Sequence, residues 1–141
     1  MTTFTIILTL LIICLIGYWS LRQIYARQKN SLEFAIEFKN RFVTLANKYF
    51  KSYDSWSREG EVDYEQYTWL TKNVDQMQYD LGRIGIIDYV APFTRYHIPR
   101  YQVLVNTLPK FRERLQNVEV NIADDCLARH IGISESIILK K

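Results

Sequence analysis

The stretch FTIILTLLIICLIGYWSL, Phe4 to Leu21, decides how the rest of the chain is read. Its 18 residues hold no charge and no proline. As a helix such a segment reaches about 27 Å, close to the hydrocarbon thickness of a bilayer. Leu, Ile and Phe each favour insertion by roughly 0.3–0.6 kcal/mol at a helix centre, which outweighs the interspersed hydroxyls of Thr5, Thr9 and Ser20. Those hydroxyls bond back to their own helix backbone. Residues 1–21 therefore read as a transmembrane anchor. Phe4, Ile6, Leu8 and Leu11 supply its first half, and Ile13, Leu15, Tyr18 and Trp19 its second.

A cleaved signal peptide needs a basic start and a small-x-small site, and neither MTTFT nor GYWSLRQ supplies one. Cys14 follows a bulky Ile13, which does not suit a lipoprotein site, and reads as an apolar side chain. Arg22, Arg27 and Lys29 follow the span, and no basic side chain precedes it. The positive-inside rule then places the N-terminus outside and residues 22–141 in the cytoplasm. Tyr18 and Trp19 fall where an aromatic belt sits, and Arg22 can snorkel to the headgroups.

Working outward, the remaining length suits one modest core. The mean hydropathy of −0.15 conceals a very uneven distribution, because the first 21 residues carry no charged side chain. A net charge of +3 is too small to argue for a nucleic-acid partner. The pattern says more than the sum. Residues 22–51 hold seven basic and two acidic side chains, residues 54–80 two and seven, and residues 92–114 five and one. Bands of alternating sign attract one another inside a bundle. Two cysteines, Cys14 and Cys126, make no intramolecular disulfide framework and fit a reducing compartment.

No glycine or proline interrupts residues 22–59, so the membrane helix continues into a second stretch. Phe34, Ala35, Phe38, Phe42, Leu45, Ala46, Tyr49, Phe50 and Tyr53 fall on one arc, with Glu33, Glu37, Arg41, Lys48 and Lys51 on the other. SYDSWSREG, residues 52–60, reads as a turn-rich ending. The next helix begins with Asp63 as N-cap and Gln66 three residues on, and ends at Gly82. Its stripe of Tyr67, Leu70, Val74, Met77 and Leu81 has the spacing of a helix–helix seam, which predicts antiparallel packing.

Residues 82–99 mix glycine, proline and aromatics without a helical period and read as a long ordered loop with short helical turns. Pro99 suits the first turn of a third helix to Leu115, kinked or split at Pro109, with Thr107 as cap of the later piece. Tyr101, Leu104, Val105, Leu108, Phe111 and Leu115 form its apolar face. A last helix, 121–131, has Asn121 as cap, Asp124 and Asp125 in its first turn, His130 in its last and Gly132 beyond. The tail SESIILKK adds a further turn capped by Ser134, its apolar tip docking on the bundle or the bilayer surface. The fold class is thus all-α: a single transmembrane helix followed by a small antiparallel bundle, with helices at about 22–53, 63–81, 99–115 and 121–131.

Motifs for catalysis are missing: there is no Gly-rich phosphate loop, no HExxH and no GxSxG. Cys126 and His130 share a helical face near Asp125, but two ligands are too few for a metal site, and the macrodipole accounts for the same acid and histidine positions. His97 reads as a hydrogen-bonded structural or surface residue, and the carboxylates from Asp54 to Glu65 as solvated surface. No enzyme, cofactor or metal is expected. Arg95, Arg100, Lys110, Arg112 and Arg114 interleave with Phe93, Tyr96, Tyr101 and Phe111, a surface for anionic lipid or a partner unless these charges pair with the acidic band. Trp69 and Tyr79 fall off the seam of their helix, touching a third element or a partner.

The expected role is a non-enzymatic interaction or scaffold module at the cytoplasmic membrane face, bound to lipid and to a protein partner or itself. Its first rival is a membrane-acting, small-toxin-like effector that oligomerises through the anchor, weakened by a span with no GxxxG and no charge. The second rival is an enzyme centred on Cys126 and His130.

Overall fold

A computed structural model describes residues 2–54, 60–90, 96–113 and 115–140. The chain is mostly helical. Helix α1 spans Thr2–Lys51 without a break, about 75 Å of helix. It ends where Ser52 turns its hydroxyl back to the carbonyls of Lys48 and Tyr49 and accepts the N–H of Glu61 at 2.7 Å. Only the second half of α1 is packed. Ala35, Phe38, Phe42, Leu45, Ala46 and Tyr49 are buried at helical spacing, whereas residues 4–27 are exposed on every side.

Helix α2, Tyr64–Leu81, starts with Asp63 accepting the N–H of Gln66 and ends at Gly82, whose φ of 52° is cheap only for glycine. The Gln66 bond and the neighbouring Lys48 ammonium hold the Asp63 carboxyl below its usual range. Tyr67, Leu70, Val74, Met77 and Leu81 are buried against α1. Lys48–Asp63 at 3.2 Å and Ser31–Asp80 at 3.5 Å fix the two helices as antiparallel, with the basic band of α1 meeting the acidic band of α2.

The segment after Gly82 corrects the all-helical expectation. A 3-10 turn, Gly82–Gly85, leads into strand β1, Ile86–Val90, which pairs antiparallel with β2, His97–Gln102. Pro99, expected to open a helix, lies in β2. A two-stranded ribbon is all edge, so a residue lacking an N–H is tolerated there. The register shifts between Ile87 and Tyr89. Opposite that shift Arg100 takes φ 55° and donates its N–H to Asp88 at 3.2 Å, a bulge held by a side chain. Cross-strand stacking of Tyr89 on Tyr101, centroids 4.7 Å apart, adds to the pairing.

The third expected helix is reduced to α3, Val103–Thr107, followed by a 3-10 turn, Leu108–Phe111, with Pro109 in its first positions. Thr107 does not cap that turn; its hydroxyl is buried and has no hydrogen-bond partner among the described residues. The apolar positions nevertheless face the core. Phe111 inserts edge-on between Phe42 at 6.0 Å and Tyr49 at 5.5 Å, pinning the turn to α1.

Helix α4 is longer than its end signals indicate, Asn117–Leu139. Asn121 and Ser134 lie inside it, and so does Gly132, without the positive φ of a helix-ending glycine. Packing along α1 carries the helix through these local stop signals, with Lys39–Asp124 at 3.3 Å and a crevice of about 100 Å³ lined by Gln28, Ser31, Ser134 and Ile137 marking an antiparallel course.

Gln78 joins these parts. Its buried amide donates to the carbonyl of Gly85 at 2.9 Å and accepts the N–H of Leu104 at 3.0 Å, so one side chain satisfies two backbone groups that no helix or strand partner serves. A Cβ on Gly85 would stand 2.5 Å from that amide nitrogen. Gln78→Leu strands both groups, and the expected loss is about 2–4 kcal/mol in a urea titration of the intact protein in detergent. A change below about 0.5 kcal/mol, the range of neutral surface substitutions, contradicts this role.

Candidate functional site

The most extensive exposed apolar surface is the first half of α1. Leu15, Tyr18 and Trp19 are 66%, 68% and 63% exposed, and Phe4, Ile6, Leu8, Leu11 and Ile13 are exposed likewise. Apolar residues surround the helix rather than forming a stripe, so no single neighbouring helix would cover them. Thr9 hides its hydroxyl on the carbonyls of Thr5 and Ile6. The helix is long and apolar enough to cross a membrane. Arg22 and Arg27 stand just beyond and make no ion pair among the described residues, while Lys29 pairs loosely with Glu33 at 3.7 Å.

The basic and aromatic residues of the second half do not form one surface. Lys110 turns inward to the Glu119 carboxylate, whose residue is only 4% exposed. The Tyr89 hydroxyl donates to the same oxygen at 3.1 Å, and the Lys110 ammonium lies 5.7 Å and 5.8 Å from the Tyr89 and Tyr101 ring centres. Arg112 lies 4.5 Å over Tyr67, on α2. Arg100 remains exposed on the hairpin. Arg95, Arg114 and Phe93 lie outside the described residues. Trp69 packs on Phe34 and Phe38 with the Arg41 guanidinium 4.5 Å over its ring, so it belongs to the α1–α2 interface. Tyr79 is 85% exposed.

The Lys110–Glu119–Tyr89 cluster escaped a reading of local pattern because its members come from three separate elements. Glu119 lies ahead of the helix start read at Asn121, so no local period marks it as buried. Burial pushes the Tyr89 phenol up, with the Glu119 charge adding to it. For Lys110 burial works downward, but the hydrogen bond to Glu119 and the Tyr101 and Glu119 charges carry its value above the ordinary one. The cluster's three members bond to one another, which suits a structural staple.

Cys126 is buried and donates its thiol to the Ile84 carbonyl at 3.2 Å. Burial, then the Asp125 charge, pushes that thiol up, so it is held as a neutral donor. Burial pushes His130 down despite the Asp80 charge. Each environment favours the uncharged side chain, opposite to what a thiolate–imidazolium pair requires. No group of three metal-ligating side chains occurs among the described residues. No known family model, curated protein or solved structure matches this chain.

Lys110→Met leaves the Glu119 charge buried without its cation, an expected loss of about 2–4 kcal/mol by urea denaturation in detergent, and adding Glu119→Met recovers much of it. A double variant no more stable than the single one contradicts the pairing. Tyr89 and Lys110 both bind their protons more tightly folded than unfolded. Their contribution is therefore complete below their ordinary values of 10.0 and 10.5 and is lost as pH rises through the higher folded values. Melting in detergent across that alkaline range is expected to show a steeper fall for the natural chain than for the double variant; parallel curves contradict it.

Proposed function

We propose that this chain is a single-pass membrane protein whose helical domain acts as a non-enzymatic interaction module on the cytoplasmic face. The observation that carries the reading is the all-round exposure of residues 4–27 on a helix whose next turns form the core of the domain. Water does not stabilise such a surface; a bilayer does, because the helix satisfies its own backbone and presents mostly apolar, uncharged side chains over residues 4–21. Arg22, Arg27 and Lys29 favour the orientation with the domain inside.

The second half of the molecule supports binding rather than chemistry. Lys110 is paired with Glu119, burial favours the uncharged forms of Cys126 and His130, and Tyr79 offers an amphipathic ring to solvent near the end of α2. Aromatic side chains of this kind are favoured at protein interfaces. The module binds a protein partner or a second copy through that exposed surface.

The intact protein is expected to stay with membranes through an alkaline carbonate wash, and deletion of residues 2–21 to release it. In right-side-out membranes, protease added outside is expected to spare the domain. Release of the intact chain, or external cleavage within residues 30–140, contradicts anchoring and orientation respectively. A photo-crosslinker in place of Tyr79 is expected to capture a second copy or a discrete membrane-associated protein, and absence of any adduct counts against the binding surface.

A further inference from the structure

The antiparallel course of α4 along α1 brings its end back towards the apolar half of α1. Lys39 faces Asp124, and farther along Gln28 and Ser31 face Ser134 and Ile137 across a shared crevice. Gln28 lies seven residues beyond Leu21, about 10 Å of helix. Leu139 lies two residues past Ile137, so α4 descends about 3 Å further. That leaves Leu139 about 7 Å above the apolar boundary, a depth that falls within or at the edge of a headgroup layer of about 5–8 Å.

The side chains at that level match such a layer. Leu139 is 83% exposed, and Ile137, about 3 Å higher, is exposed too. Nearby on α1, Ile24 and Tyr25 are also exposed. Arg22, Arg27 and Lys140 are exposed cations without an ion pair among the described residues, against one exposed acid, Glu135, on this part of α4. Apolar side chains beside unpaired cations at one depth suit anionic headgroups and the upper acyl chains.

We infer that the end of α4 is a second membrane contact, which rests on the anchoring reading: its apolar residues enter the headgroup layer of the bilayer that α1 spans, and the flanking cations bind anionic lipid. Two contacts limit how far the molecule as a whole tilts in the bilayer, and the opposite end, with Lys51, points away from the membrane.

The test uses the full-length chain with Cys14→Ser, Cys126 being buried, and a nitroxide at Leu139→Cys or, for comparison, Lys51→Cys. Each is reconstituted in phosphatidylcholine vesicles with and without phosphatidylglycerol. In anionic vesicles, the label at 139 is expected to be several-fold more accessible to oxygen relative to a polar nickel chelate than the label at 51. The ratio at 139 is expected to fall when phosphatidylglycerol is omitted. Equal ratios at the two positions, in protein that floats with the vesicles, overturn the contact and leave the anchor standing. A high ratio at 139 that ignores phosphatidylglycerol overturns the role of the cations. Protein that does not float overturns the anchor and the contact together.

Discussion

The unbroken hydrogen-bond ladder of α1 is the constraint from which the remaining structure follows. Between Arg22 and Lys51 there is no glycine or proline, so nothing loosens the helix where its surroundings change. Its first half presents apolar side chains on all sides and its second half a single buried seam, Ala35 to Tyr49. A bilayer segment must satisfy its backbone internally, and helix is the one single-strand answer. Continuing that helix into the domain joins the apolar half of α1 to the core without a break.

Around this rod a small core is completed by unlike means. Helix α2 contributes a regular seam and α4 lies along the other side, but the link between them is a hairpin, a five-residue helix and a 3-10 turn. Such short pieces leave backbone groups without regular partners. Gln78 serves two of them, Cys126 a third, and the Lys110–Glu119–Tyr89 cluster ties hairpin, turn and α4 at one point. Polar side chains thus fix the irregular region, while aromatic contacts of Phe111 and Trp69 bind it and α2 to α1.

What could be read from the sequence was what repeats locally. The seam of α1, the Asp63 cap, the α2 stripe and the Gly82 ending all rest on spacing within one helix. The hairpin did not show itself. Ile86–Val90 is short, and Pro99 suits the start of a helix, yet its lack of an N–H suits an edge strand equally well. The apolar positions from Tyr101 to Leu115 have helical spacing and do face the core, but strand, α-helix and 3-10 turn in succession place them there. Gly132 and Ser134 look like helix ends, and only contact with α1 carries α4 past them. The inward turn of Lys110 depends on a glutamate from another element, which no local period reveals.

The most direct measurement of this account is the distance between nitroxides at Tyr18 and Asn47 of the full-length protein in lipid bilayers. A helix continuous from the apolar segment into the core gives one narrow population with the attachment points about 44 Å apart. A broad or markedly shorter distribution would show a joint at the membrane exit and contradict the account.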